Sequence, residues 1–268
     1  MGVHSGRQFS MMLHRSHNLP PQTDGFDFND WAVFLDLDGT LLDIAASPES
    51  VFVPKRLIET LATLRAQLGG ALAILSGRSL RNIDRLLHPL LVTAGGEHGA
   101  VLRLPDGEIA EADSGTVVPA HWRQLIRQQV EELPGILVEE KSHGVALHYR
   151  ADPSLGVPVT ALLEQLVESD PSFEILPALM ARELRHRSVN KGAALARLMA
   201  TAPFSSRRPL FIGDDVTDED AILAAGKMGG LGLRVPDAFA GEPARVRSWL
   251  GELALRGSPA PGPLRAEH

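Results

Sequence analysis

The stretch Val33-Phe34-Leu35-Asp36-Leu37-Asp38-Gly39-Thr40-Leu41-Leu42 decides how the rest of the chain is read. An apolar run of strand-forming residues delivers two carboxylates, a glycine and a threonine to its carboxyl end, and then turns apolar again. A solvated turn accounts for one such cluster. It does not account for a second, Phe211-Ile212-Gly213-Asp214-Asp215-Val216-Thr217-Asp218-Glu219-Asp220, at the end of another apolar run. Side by side in a parallel sheet, two acid-tipped strands open into one crevice at their carboxyl ends, where open α/β sheets bind ligands. Carboxylates converging there repel one another unless a hard cation sits among them, which predicts a magnesium site.

Composition bounds the answer. The 268 residues, 44% hydrophobic and 22% charged, suit either one large globular α/β domain or a core with a smaller inserted one. With 26 basic against 33 acidic residues the net charge is -7, which argues against a nucleic-acid partner held by a broad basic surface but leaves room for a local anion pocket. There is no cysteine, so disulfides and thiolate chemistry are excluded. No apolar run approaches the length of a membrane span. Residues 1–24 carry Arg7, Arg15 and several His and Ser residues with no acid before Asp24, and lack the apolar core of a secretory signal. They are read as a disordered tail, residues 257–268 as a frayed end, and the cytoplasm as the expected location.

Outward from the first strand, Leu57, Ile58, Leu61, Leu64 and Leu68 recur at helical spacing and Gly69-Gly70 ends that helix. Ala71 to Leu75 reads as a buried strand, ending in Ser76-Gly77-Arg78. Those three residues make either a plain turn and helix cap or a donor and anion contact for phosphate oxygens. Leu90 to Ala94 reads as a third strand, running into Gly95-Gly96-Glu97-His98-Gly99. For Glu97 and His98 a structural and a functional role weigh evenly.

From Pro105 the pattern changes. Residues 105–184 read as helix, two strands, helix, two strands, an αββαββ unit inserted between core segments 25–104 and 185–256. Glu139 and Lys141 stand two apart on a predicted strand and share a face, as a surface ion pair or as two ligands for sugar hydroxyls. The core resumes at Ser188-Val189-Asn190-Lys191-Gly192. Lysine at a helix start opposes the macrodipole, so an anionic partner is expected for Lys191. For Glu219 and Asp220 a purely structural role in a first helical turn remains open.

In order, Asp36-Leu37-Asp38-Gly39-Thr40, Ser76, Lys191, and Gly213-Asp214-Asp215 with Asp218 resemble the four motifs of the haloacid dehalogenase superfamily of phosphohydrolases. Ser76-Gly77-Arg78, Glu97-His98-Gly99, Glu139-Glu140-Lys141, Val145-Ala146-Leu147-His148-Tyr149-Arg150 and Gly213 to Ala221 resemble, more narrowly, the trehalose-6-phosphate phosphatases. This second likeness spans roughly residues 31–225. It implies a Rossmann-like parallel-sheet core with a mobile αββαββ, C2-type cap closing over a small sugar phosphate, and no obligate protein partner. It further implies that Asp36 is the nucleophile, Asp38 the acid and base, and that Ser76 and Lys191 hold phosphoryl oxygens. Magnesium would be held by Asp36, the backbone carbonyl of Asp38 and Asp214, with Asp215 or Asp218 beside them. Thr40, Gly77, Arg78, Glu97 and His98 would face the substrate from the core, and Glu139, Lys141 and Glu183 from the cap; Arg78 could equally brace its loop. One departure stands out, the absence of proline or glycine between Glu183 and the motif lysine Lys191, where the family commonly has one.

The expected activity is magnesium-dependent hydrolysis of trehalose 6-phosphate, the last step of trehalose biosynthesis. Phosphatases for sucrose or mannosyl-glycerate phosphate would keep every core residue and differ in the cap. A phosphotransferase of mutase type would keep the nucleophile but exclude water. A non-catalytic sugar-phosphate sensor would have little use for Asp36 and Asp38 together.

Overall fold

The computed structural model describes residues 19–45 and 50–256. Most of the expected N-terminal tail and the whole frayed C-terminal segment lie outside them. Eleven strands among the described residues form two sheets. The larger has the order β11-β10-β1-β2-β3-β4-β5, where β1 is Trp31–Leu35, β2 Leu72–Leu75, β3 Thr93–Gly96, β4 Val101–Arg103, β5 Ile109–Glu111, β10 Arg208–Gly213 and β11 Leu231–Arg234. The first five of that order run parallel, β4 pairs antiparallel with β3, and β5 pairs antiparallel with β4. Chain order reverses at β1, which has β2 on one side and β10 on the other. That is the switch point at which a parallel sheet opens a crevice beyond its carboxyl ends.

The residues explain the placement. Central strands buried on both faces need continuous apolar runs, and Phe34, Leu35, Ile74, Leu210, Phe211 and Ile212 are all fully buried. Phe34 packs on Phe204, with ring centroids 5.2 Å apart. Helices α1, Lys55–Gln67, and α2, Leu80–Leu87, follow β1 and β2, and the apolar stripe predicted for α1 buries Leu57, Leu61 and Leu64. Ser79 caps α2 by accepting from the Asn82 amide.

The smaller sheet has the order β6-β7-β9-β8, with β6 Leu137–Glu140, β7 Val145–His148, β8 Phe173–Ala178 and β9 Ala181–His186. Helices α3, Ala120–Glu131, and α4, Gly156–Ser169, complete the unit. Its own core joins Trp122, Ile126, Leu147, Val159, Leu163 and Phe173. Two pairings bear on the expected span of this insert, 105–184. Ile109–Glu111 pairs with β4 in the larger sheet, and β9 stays paired with β8 through His186. The short, mostly exposed Ile109–Glu111 strand carries too little apolar signal to be separated from the insert by sequence. One expectation is corrected: β3 begins at Thr93 rather than Leu90; Leu91 is exposed and the buried strand is the small-residue run Thr93 to Gly96.

After β9 the chain enters α5, Lys191–Met199, then β10, α6 (Glu219–Lys227), β11, the short α7 (Val235–Ala238) and α8 (Pro243–Arg256). Helix α5 packs on α6 and α1 on α8. No helix among the described residues is long and apolar enough to cross a membrane.

Candidate active site

The two acid-tipped strands are neighbours, as their sequences predict. The Asp36 amide donates to Ile212 O at 2.9 Å, so the last pairing of β1 with β10 sets the Asp36 side chain beside those that follow β10. One carboxylate oxygen each from Asp36, Asp214 and Asp218 lies within 4.8 Å of the others. Lys191 enters this cluster from the first residue of α5, its Nζ 2.6 Å from both Asp36 Oδ1 and Asp218 Oδ1. The anionic partner that the helix dipole demanded is therefore double.

Asp36, Lys191 and Asp218 are buried, Asp218 completely, and Asp214 is half-buried. Burial pushes the Asp36 carboxyl well up from its ordinary value; Lys191 pulls it back, and the charges of Asp218 and Asp214 add to the rise. Burial, with Asp218 and Asp215 nearby, raises Asp214 to about 6. Burial would lower Lys191, but the two carboxylates outweigh it and hold the ammonium above its usual range. Lys191 neutralises one of the three clustered carboxylates, leaving two negative charges on hard oxygen donors. That is the donor set and the charge a divalent cation requires, so the cluster can hold a metal ion.

The loops around the cluster are specialised. Thr40 Oγ1 donates to Asp214 Oδ1 at 3.1 Å. Gly39 has φ +81°, and a Cβ there would lie 2.1 Å from Asp214 Oδ2, so no side chain fits at this position. Both Asp218 oxygens are engaged, Oδ1 by Lys191 and Oδ2 by the amides of Asp214 and Asp215. Asp215 does not join the cluster. Its Oδ1 accepts from the amide and hydroxyl of Thr217, which makes it a cap for the turn before α6.

Asp38, two residues beyond Asp36, is gripped by Arg78, whose Nε and Nη2 reach its two oxygens at 2.6 and 2.7 Å. In the structure without substrate, the Arg78 guanidinium is engaged by Asp38. Ser76 is buried at the end of β2, its amide bonded to Gly95 O and its Oγ accepting from the Arg78 amide at 3.2 Å. Gly77 lies under the His98 ring, where a Cβ would come within 2.7 Å of Cε1 and Nε2.

The inserted unit presents a second charged group. Cross-strand register aligns Glu139 with Ala146, Ala146 with Glu183, and Glu183 with Leu176. Despite the missing proline and glycine, Glu183 is in register and 2.5 Å from Lys141 Nζ. Lys141 also donates to Gly77 O of the core at 3.3 Å, and His98 Nε2 lies 3.5 Å from Glu183. Burial would raise Glu183, but His98 and Lys141 hold it well below the usual carboxylate range. Burial lowers the His98 imidazole more than Glu183 raises it, which favours the neutral ring. The ion pair weighed for Glu139 and Lys141 is not made. Glu139 bonds instead to His148 Nε2 at 2.8 Å, which lowers its carboxyl.

Glu97, expected on the substrate side, has its carboxylate on Ser142, with the Ser142 amide at 2.7 Å and Oγ at 3.3 Å. Ser142 and His143 carry no chemical signature in sequence beyond that of a hairpin turn. In the structure they join the insert to its surroundings, His143 Nδ1 lying 2.8 Å from Thr116 Oγ1.

A family model for trehalose-phosphatase matches residues 34–237, which takes in both acid clusters, Lys191 and the entire insert. The chain belongs to the trehalose-phosphatase family. A probable trehalose-phosphate phosphatase of Sinorhizobium fredii is 38% identical over 236 residues, covering 86% of this chain and 87% of the relative. The trehalose-6-phosphate phosphatase of Escherichia coli is 32% identical over 205 residues, covering 76% and 77%. The C-terminal domain of Candida albicans trehalose-6-phosphate phosphatase shares the fold at TM-score 0.71 and 21% identity, covering 89% of this chain and 99% of that one. In this trehalose-phosphatase family member the larger sheet is thus the Rossmann-like core and the inserted unit the cap.

Proposed function

We propose that the chain hydrolyses trehalose 6-phosphate to trehalose and phosphate through an aspartyl-phosphate on Asp36. The observation that carries the chemistry is the buried Asp36 with the Lys191 ammonium 2.6 Å away and Asp38 two residues on in the same loop. The family match carries the substrate.

Phosphate monoesters resist hydrolysis because a nucleophile must approach a dianion, so a catalyst has to supply positive charge and in-line placement. Asp36 attacks phosphorus and splits one hard displacement into two. Lys191 has three donor hydrogens, two of them on Asp36 and Asp218, and the third is available for a phosphoryl oxygen, with the Ser76 hydroxyl for another. Asp38 protonates the leaving sugar oxygen and later takes the proton of the water that attacks the intermediate. For Asp38 to donate, Arg78 must release one of the two oxygens it now holds. Asp36, Asp214 and the Asp38 carbonyl, backed by Asp218, are the groups that would hold magnesium. When bound, the ion supplies positive charge between nucleophile and phosphate. Glu139, Lys141 and Glu183 offer acceptors and a donor on the cap for sugar hydroxyls.

The test is magnesium-dependent phosphate release from trehalose 6-phosphate, sucrose 6-phosphate, glucose 6-phosphate and an aryl phosphate, with Asp36→Asn beside the wild type. A strong preference for the trehalose ester, abolished in the variant, is the expected result. Preference for another sugar ester would remove the substrate assignment while keeping Asp36, and no turnover of any ester would overturn the chemistry.

A further inference from the structure

The turn Glu97-His98-Gly99 has left-handed backbone at two consecutive residues that are not glycine, with φ +51° at Glu97 and +58° at His98. Such conformations persist only where the surroundings impose them. Here two hydrogen bonds do so, from the Glu97 amide to Arg78 O and from the His98 amide to Ser76 O, both 2.9 Å. The turn is therefore fastened to the loop that carries Ser76. What it gains is reach across to the cap, where both Glu97 oxygens meet Ser142.

The contacts close into a ring. Arg78 O holds the Glu97 amide, the Glu97 carboxylate holds Ser142, Ser142 adjoins Lys141, and Lys141 Nζ returns to Gly77 O, next to Arg78. Lys141 in turn holds Glu183. A sugar ligand at Glu97 would have to displace the cap turn from the carboxylate.

We propose that Glu97 is a positioning residue that docks the β6–β7 turn of the cap onto the core and so sets Lys141 and Glu183 beside the Ser76 loop. The proposal deepens the sugar-phosphatase reading and rests on it for its kinetic consequences, but docking itself is a property of the protein without substrate. Glu97 has no part in holding the phosphoryl group.

The experiment pairs Glu97→Asn with Glu97→Gln. Asparagine tolerates the left-handed backbone but is one methylene too short to reach Ser142, whereas glutamine keeps the length and an accepting oxygen. Amide hydrogen exchange at Ser142, measured without substrate, is expected to accelerate on the order of tenfold in Glu97→Asn and to return towards wild type in Glu97→Gln. In the same proteins, KM for trehalose 6-phosphate should rise about tenfold in Glu97→Asn, recover in Glu97→Gln, and leave turnover of an aryl phosphate unchanged. Unaltered Ser142 exchange in Glu97→Asn would overturn the proposal, as would an equal loss on sugar and aryl esters. If the wild type ignores trehalose 6-phosphate, the substrate reading falls and the exchange result still decides docking.

Discussion

Lys191 in the core and Lys141 in the cap are both buried ammonium groups, yet their surroundings differ in kind. Lys191 has two carboxylates at 2.6 Å, both supplied by the same seven-stranded unit, one from the end of β1 and one from the turn before α6. Lys141 has one carboxylate, Glu183 of the cap, and finds its other acceptor, Gly77 O, across the boundary. The core arrangement is complete whatever the cap does. The cap arrangement depends on where the cap sits. On the proposed function, reactivity and substrate choice reside in separable sets of residues, and experiments can test that separation.

The largest effect is expected from Asp36→Asn, which should lower kcat on every ester by on the order of 10⁴-fold or more, since it removes the nucleophile. Retention of turnover on the aryl phosphate alone would break the separation. Next, Lys191→Met leaves Asp36 and Asp218 without a buried counter-charge and should cost about 3–5 kcal/mol in urea unfolding with chelator present. Lys141→Met, with a single carboxylate left behind and His98 still near it, should cost clearly less; equal losses would erase the contrast between the two lysines. Glu183→Gln should lower kcat/KM for trehalose 6-phosphate by about 10- to 100-fold, the value of a hydrogen bond to a charged group, and spare the aryl ester.

The smallest effect is one of pH. With Asp214 raised to about 6 from 3.8, the metal-free protein holds a proton there that the unfolded chain has lost. Its contribution to stability is full below pH 3.8 and vanishes as pH rises through about 6. The same proton competes with a cation, so calorimetric magnesium affinity should fall as pH drops below about 6 and level off above it. In Asp214→Asn that pH dependence should flatten.

The parallel core was legible because acid-tipped apolar runs have few other uses, and Lys191 was legible because it defied the helix dipole. Other features needed coordinates. The three-residue β5 takes its place from pairing with β4, and nothing in Ile109-Ala110-Glu111 says which sheet it joins. The family resemblance leaves Asp215 and Asp218 with equal claims to a metal; only the fold gives Thr217 to Asp215 and Lys191 to Asp218. The left-handed backbone of Glu97 and His98 is invisible in residue types that seldom adopt it. Arg78 illustrates the same limit, since a guanidinium after a strand suits phosphate and carboxylate equally, and only the fold shows it on Asp38 at 2.6 Å.

The position of β1 between β2 and β10 has a consequence for the chain's birth. Asp36 emerges early, but Lys191 follows 155 residues later, on the order of ten seconds at ordinary rates of synthesis. Until β10 is made, one edge of β1 has no partner and is open to pairing with other chains. During that interval the nascent polypeptide carries Asp36 without its lysine or its acidic neighbours, and the cluster is assembled only when Asp218 has left the ribosome.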